Sequence, residues 1–132
     1  MTQIAVNSLG LDQKVQVSTI EVKRSGPSYA IDTIEELSKI YPDSKFTLVL
    51  GSDAANNLDK WHRSDELQKL VEILVVKRPG VKSSTFAEIE VSAPDLSSTQ
   101  IRDKVANSAD ISELVVPTVA SFIKEHQLYG SR

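Results

Sequence analysis

Phe46-Thr47-Leu48-Val49-Leu50 is an almost unbroken apolar run that stops at Gly51 and is followed directly by Ser52 and Asp53. Such a run reads as a strand buried on both faces, the kind found in parallel sheets. Ile73 to Val76 is a second run of the same type, and between the two lies a helical pattern in which Ser64 caps and Leu67, Leu70 and Val71 point inward. A strand, a crossover helix and a parallel strand is the economical fold for that order, with right-handed connection. Ligands in such sheets collect beyond the carboxyl ends of the strands, which places Gly51 to Asp53 at the rim of a crevice. The lone tryptophan follows in Asn57-Leu58-Asp59-Lys60-Trp61-His62. Pattern alone leaves two readings open here: a strand, a turn and a core tryptophan, or a site.

The rest of the chain extends the alternation. Met1, Ile4, Ala5 and Leu9 have helical spacing and Gly10 stands where a left-handed helix end belongs. Val15 to Val22 is rich in β-branched residues and is expected to be a strand, ended by Arg24-Ser25-Gly26-Pro27. Ser28 is expected to cap a helix with an apolar face of Ile31, Ile34, Leu37 and Tyr41, stopped by Pro42. The strand at Ile73 to Val76 ends at Lys77-Arg78-Pro79-Gly80, and residues 81–88 read as a surface loop. Ile89 and Val91 alternate with Glu90 and Ser92 as in an edge strand, ended by Pro94. A helix begins at Ser97 or Ser98 with Ile101 and Val105 inward. Pro117 opens a last helix whose stripe is Val119, Ala120, Phe122 and Ile123, with Ile111, Leu114 and Val115 packed nearby. The expected class is α/β, a three-layer sandwich with a mostly parallel sheet. Missing hairpin turn signals count against an antiparallel α+β arrangement.

At 132 residues the chain is expected to form one domain. Its net charge of -3 offers no general reason to bind nucleic acid or an anionic membrane, so an anion site would have to be local. Cysteine is absent, which excludes disulfides and thiolate metal sites and permits an intracellular compartment. No apolar run approaches the ~18 residues of a membrane span, and no charged-then-apolar leader opens the chain, so a cytoplasmic location is expected.

Taken in order, Gly26-Pro27-Ser28-Tyr29-Ala30-Ile31-Asp32-Thr33, Gly51-Ser52-Asp53, Leu58-Asp59-Lys60-Trp61-His62-Arg63, Arg78-Pro79-Gly80 and Leu96-Ser97-Ser98-Thr99-Gln100-Ile101-Arg102, closed by Phe122-Ile123 to Leu128-Tyr129, resemble nicotinate-nucleotide adenylyltransferase. The resemblance covers nearly the whole chain. It implies the Rossmann-like nucleotidylyltransferase fold and an enzyme that joins nicotinate mononucleotide to the AMP part of ATP, with magnesium, to give deamido-NAD and pyrophosphate in NAD biosynthesis.

By that resemblance, Ser28, Tyr29, Ala30, Trp61, His62 and Arg78 bind nicotinate mononucleotide, and Gly51, Asp53, Ser98, Thr99 and Arg102 bind ATP. Trp61 offers a face for stacking on an electron-poor pyridine ring. Backbone amides of the Ser28-Tyr29-Ala30 stretch would receive the nicotinate carboxylate. Ala30 replaces the family's usual threonine, removing a hydroxyl but keeping the amide. His62 is expected to lend its backbone amide rather than act as a base. Gly51 would admit a nucleotide closely because it has no side chain. Asp53 would accept from ribose hydroxyls, and Arg78 would reach the mononucleotide phosphate. Ser98 and Thr99 open a helix whose free amides and positive dipole end suit ATP phosphates, with Arg102 one turn further in.

The family's N-terminal strand and helix, with a His-x-Gly-His motif that contacts the reacting phosphates, have no counterpart here. The histidines are His62 and His126. No residue of this chain is therefore expected to be catalytic and none to ligate a metal. The chain is expected to be N-terminally truncated, a single adenylyltransferase-like domain over 1–132 without the first β-α unit and part of the second helix. Self-association through the surface left by the missing strand is expected. Partners would be ATP and nicotinate mononucleotide, with no nucleic acid and no membrane. The alternatives are a catalytically dead nucleotide-binding or interaction module, and another adenylyltransferase such as the pantetheine-phosphate type, which lacks the Trp61 and Ser28-Tyr29 context.

Overall fold

The two apolar runs become adjacent parallel strands, with a helix crossing between them. The computed structural model describes residues 1–11, 14–77, 85–91 and 96–130. In chain order the elements are α1 (Thr2–Asn7), α2 (Ile20–Lys23), α3 (Ala30–Ile40), β1 (Phe46–Gly51), α4 (Ser52–Ala55), α5 (Ser64–Leu70), β2 (Val71–Lys77), β3 (Ala87–Glu90), α6 (Ser98–Ala106) and α7 (Pro117–Glu125). Short 3-10 turns lie at Leu58–Lys60 and Leu128–Gly130. The chain divides into two compact units, Thr19–Ala93 and the combination of Met1–Ser18 with Pro94–Arg132.

The Thr19–Ala93 unit is built on the sheet. Its strand order is β1-β2-β3, and both pairings are parallel. Phe46 pairs with Val71, Leu48 with Ile73 and Leu50 with Val75, which puts these six side chains on one face. On that face Leu50, Val71 and Val75 join Ile31 and Ile34 of α3, Leu67 of α5, Ala55 and Leu58 in a buried core, and Phe46, Leu48, Ile73 and Phe86 pack against it. Ile31, Leu67 and Val75 are fully buried. Each such side chain contributes roughly 1.5–3 kcal/mol relative to staying exposed, so α3 and α5 are held by packing and not by their own propensity.

The other unit is helical. Val105 of α6 and Val119 and Ile123 of α7 form its buried centre, with Ile4 and Ala5 of α1, Ile101, Ile111, Val115 and Leu128 around them. Ser97 caps α6 in a complete capping box. Its hydroxyl accepts from the Gln100 amide at 3.1 Å, and the Ser97 amide donates to the Gln100 side chain at 2.7 Å. Pro117 occupies the first turn of α7, as expected. Gly10 follows α1 with the left-handed φ the sequence suggests.

Several expectations need correction. Val15 to Val22 is not a strand: residues 15–19 are irregular and 20–23 form α2. Val15 and Val17 still alternate with exposed Gln16 and Ser18, but among the described residues no strand pairs with them. A β-branched run without a ladder partner has nothing to hold it as a strand.

The cap of α3 is Tyr29 and that of α5 is Arg63, not Ser28 and Ser64. Both serine hydroxyls are otherwise engaged, Ser28 accepting from Arg24 and Ser64 donating to the Leu58 carbonyl. Tyr41 and Leu70, expected inward, are about half exposed because each stands at the end of its helix. The strand β1 is buried on one face only, with Val49 56% exposed on the other. β3 begins at Ala87, inside the stretch expected to be a loop. Arg78-Pro79-Gly80, residues 81–84, Ser92 and Pro94 lie outside the described residues.

Candidate functional site

Within the Thr19–Ala93 unit, two separate stretches of chain meet at one cleft. Ser28, Tyr29 and Ala30, at the start of α3, face Lys60, Trp61 and His62, which lead into α5. Glu21 of α2 completes the lining of a space of about 450 Å³. The Tyr29 and His62 rings stack at a centroid distance of 4.2 Å and an interplanar angle of 28°. Trp61 is half-buried, packed against the core cluster on one side and lining the cleft. Five of the sequence-selected residues are thus brought together.

Local chemistry explains each placement. The turn before α3 passes through Gly26 at φ +85, a conformation that penalises a residue with a Cβ. The N-cap of α3, Tyr29, makes no side-chain capping bond, so the amides of the first turn lack an intrahelical partner and a side-chain cap. These amides and the positive end of the helix dipole belong to the segment that lines the cleft. On the facing segment, the Trp61 amide donates to the Leu58 carbonyl at 3.0 Å, closing the 3-10 turn that presents its ring.

Both walls are tied to α3 by an arginine. Arg24, only 18% exposed, donates to the Ser28 hydroxyl at 2.6 Å, the Thr33 hydroxyl at 3.1 Å and the Glu36 carboxylate at 3.0 Å. Thr33 in turn donates to Glu21 at 2.8 Å. Arg63 holds a left-handed φ of 51. It reaches Glu35 of α3 at 2.7 Å and grips Glu66 through two bonds, Nε to Oε1 at 2.9 Å and Nη2 to Oε2 at 2.7 Å. Asp32 stands 4.0 Å from the same guanidinium. Hydrogen bonds from Arg63 hold the Glu66 carboxyl below its usual range. The same bonds, with that to Glu35, raise the guanidinium further above its already high value.

Gly51 and Asp53 stand at the end of β1 and the start of α4, at the carboxyl end of the sheet as expected. They do not line the cleft. A Cβ added at Gly51 would meet nothing within 4 Å. Its φ is -75, which any residue adopts. Neither backbone nor internal packing therefore requires glycine there. Asn57 donates to the Asp53 carbonyl at 2.9 Å, closing the turn after α4.

In the other unit, Ser98 and Thr99 are the first two residues of α6, and Arg102 donates to the Thr99 hydroxyl at 3.2 Å. The capping box satisfies the Ser97 and Gln100 amides and leaves those of Ser98 and Thr99 without intrahelical partners. Arg78 lies outside the described residues. Sequence reasoning assigned no role to Glu21, Arg24 or Lys60. Lys60 had a signal in its adjacency to Trp61. Glu21 and Arg24 were hidden by the expected strand and turn.

A family model described as cytidylyltransferase-like matches residues 3–104. A probable nicotinate-nucleotide adenylyltransferase of Bacillus pumilus is 37% identical over 134 residues, covering 99% of this chain and 69% of that protein. The chain belongs to the nicotinate-nucleotide adenylyltransferase family. Another member, a probable nicotinate-nucleotide adenylyltransferase of Geobacillus thermodenitrificans, is 43% identical over 122 residues, covering 90% of this chain. Of that relative's own length the chain spans 56%. Two solved structures of the Plasmodium falciparum nicotinic acid mononucleotide adenylyltransferase, complexed with APC and with NaAD, superpose with a TM-score of 0.77 at 20% identity. They cover 99% of this chain and 73% and 71% of theirs. At that identity the likeness shows the fold, a parallel α/β nucleotidyltransferase fold shared with this adenylyltransferase family. Among the described residues no helix is long and apolar enough to cross a membrane.

Proposed function

We propose that the cleft between the start of α3 and Trp61 binds nicotinate mononucleotide, and that the protein transfers AMP from Mg-ATP to it, giving deamido-NAD and pyrophosphate. The observation that carries this reading is the convergence of Ser28-Tyr29-Ala30 with Trp61-His62 on one space large enough for a small ligand. Trp61 stacks on the pyridine ring. The first-turn amides of α3 take the carboxylate, and because Tyr29 supplies no competing side-chain cap they are available for it. On this reading Ala30 costs little, since the amide and not a hydroxyl meets the anion. His62 lends its backbone amide and lies with its ring on Tyr29. Arg78 reaches the mononucleotide phosphate.

ATP contacts are assigned in each unit by itself: Gly51 and Asp53 at the end of β1, and Ser98, Thr99 and Arg102 at the start of α6. Support comes from Gly51, whose bare strand end serves no purpose inside the chain but lets a nucleotide approach. Further support comes from the Ser98 and Thr99 amides, which have no intrahelical partner, with Arg102 alongside Thr99. A phosphate oxygen of the mononucleotide attacks the α-phosphorus in line. The new bond forms as the bond from that phosphorus to the bridging oxygen of the β-phosphate breaks, and pyrophosphate leaves. The residues named bind and align; no side chain among them need exchange a proton. Magnesium enters with the ATP, held by phosphate oxygens and water as is usual for this cation. Among the described residues no three His, Asp or Glu side chains gather into a cage for it.

The chain is proposed to self-associate through the open edge of its sheet. Support comes from β1, which is an edge of the described sheet, and from exposed Val49 on its open face. The alternative is a binding module without catalysis. One experiment separates them: titrate the chain with nicotinate mononucleotide while following Trp61 fluorescence, then add Mg-ATP and assay pyrophosphate. Binding with turnover supports the enzyme, and binding without turnover supports the module. No change with the acid, or equal affinity for the amide analogue, refutes the site.

A further inference from the structure

The two walls of the cleft come from different parts of the chain, yet each is fixed to the same helix by one guanidinium. Arg24 joins the Gly26 turn to α3 through Ser28, Thr33 and Glu36. Arg63 joins the Trp61-His62 segment to α3 through Glu35 and to α5 through Glu66. We propose that Arg24 and Arg63 are positioning residues that set the separation of Tyr29 from Trp61 and His62, with α3 as the common frame. The proposal deepens the nicotinate mononucleotide reading above and rests on it for the identity of the ligand, but the clamps can be judged without any ligand.

Elementary geometry favours this role over a merely stabilising one. Neither arginine lines the cleft, so neither touches a ligand there. Pro27 fixes its own φ and restricts its predecessor, but Ser25, Ser28 and Tyr29 keep their backbone freedom, and Gly26 retains more than a residue with a Cβ would. Without a fixed anchor, residues 25–29 would sample many conformations and Ser28 and Tyr29 would meet Trp61 only part of the time. Arg24 removes that freedom with three charge-assisted bonds from one planar group, one of them to a carboxylate, in a mostly buried position. Arg63 does the same for a backbone held at φ 51, a conformation a non-glycine residue keeps only when its surroundings impose it. The anchoring residues Asp32, Thr33, Glu35 and Glu36 occupy consecutive turns of α3. A rigid helix held by buried Ile31 and Ile34 therefore supports both walls.

The test uses the whole chain and two series, Arg24→Ala and Arg24→Lys, and Arg63→Ala and Arg63→Lys. Without ligand, backbone amide order parameters are followed by NMR at residues 25, 26, 28–30 and 60–63 and in β1 and β2. In Arg24→Ala those of 25–30 should fall from the rigid range, about 0.85, to below about 0.6 while the strands stay as in the wild type, and millimolar guanidinium should restore them. In Arg63→Ala the same should hold for 60–63. The lysine variants should be intermediate, because a point charge cannot reproduce a fork. If alanine prevents folding, the lysine variants carry the same comparison. Unchanged order parameters in the named segment, or a fall shared equally with β1 and β2, overturn the positioning role.

A second reading follows Trp61 fluorescence with nicotinate mononucleotide. Each alanine variant should weaken binding by about tenfold, the free-energy loss of one charge-assisted hydrogen bond. Failure of the wild-type chain to bind would sink the ligand assignment alone, and the order parameters would still decide the clamps.

Discussion

The cleft in the Thr19–Ala93 unit and the first turn of α6 in the other unit were both singled out as anion sites, yet they are made by different physics. The α6 turn is almost wholly local. Ser97 and Gln100, and Thr99 and Arg102, satisfy one another within a single stretch of six residues, and the lack of an intrahelical partner at the Ser98 and Thr99 amides follows from helix geometry. The cleft depends on contacts that cross the unit: Arg24 to Glu36, Arg63 to Glu35, Tyr29 to His62, and the Trp61 edge of the core. A site made by capping survives whatever leaves its helix intact. A site made by convergence needs the whole unit to be packed.

The largest effect that bears on this difference comes from Leu67→Ala. Leu67 is fully buried in the core of the Thr19–Ala93 unit, and its truncation should cost about 2–5 kcal/mol. Chemical denaturation followed by Trp61 fluorescence should show that loss, while amide exchange in α6 and α7 changes far less. Equal loss of protection in both units would mean that the α6 turn is no more independent than the cleft.

Ser97→Ala is the reverse experiment. Removing the cap should cost about 1 kcal/mol and weaken binding of Mg-ATP while leaving Trp61 emission unaltered. A shifted Trp61 spectrum would show that the two sites are not separable in this way.

Trp61→Ala should weaken nicotinate mononucleotide binding by roughly 0.5–1.5 kcal/mol for the lost stacking, about tenfold at most, with Mg-ATP affinity unchanged. Isothermal calorimetry with each nucleotide separately reads both. An equal loss for the two ligands would assign Trp61 to general packing.

Acid gives the smallest effect and sharpens the contrast by its cause. Hydrogen bonds from Arg63 depress the Glu66 carboxyl, and bonds from the Ser112 amide and hydroxyl depress that of Asp110 in the helical unit. A carboxyl lowered in the folded state contributes fully above its ordinary value, about pH 4, and the contribution disappears as pH falls through the lower folded value. Both units should therefore lose stability below about pH 4 in a pH-dependent denaturation series. Added salt should diminish the Glu66 contribution, an exposed ion pair, and leave that of Asp110, held by neutral donors, nearly unchanged. Identical salt responses would contradict these assigned causes.

How far the site could be read in advance follows the same division. The residues that would bind, from Ser28 to His62 and from Ser98 to Arg102, were legible because the family's motifs sit on contiguous stretches. Ser97 and its partner Gln100 could be read from spacing alone. The residues that hold the cleft in shape were not legible. Arg24 lies at the edge of a β-branched run that suggested a strand, and its partners Thr33 and Glu36 look like an ordinary helix surface. Glu21, on the same run, gave no hint that it would line the cleft.

What the amino-acid sequence determined by itself is the alternation of apolar runs and helical stripes, the parallel strands at Phe46–Gly51 and Val71–Lys77, the helix starts at Ser97 and Pro117, and the membership of the family. Each is set within a few turns of chain, by side-chain period or by backbone hydrogen bonding. Only the tertiary structure decided that Val15 to Val22 would form no strand, that Ser28 would serve Arg24 instead of capping α3, and that Val49 would face outward. A strand needs a neighbour, a hydroxyl takes the strongest donor within reach, and a strand face is buried only where another layer covers it. All three depend on what lies across space, which no local pattern contains.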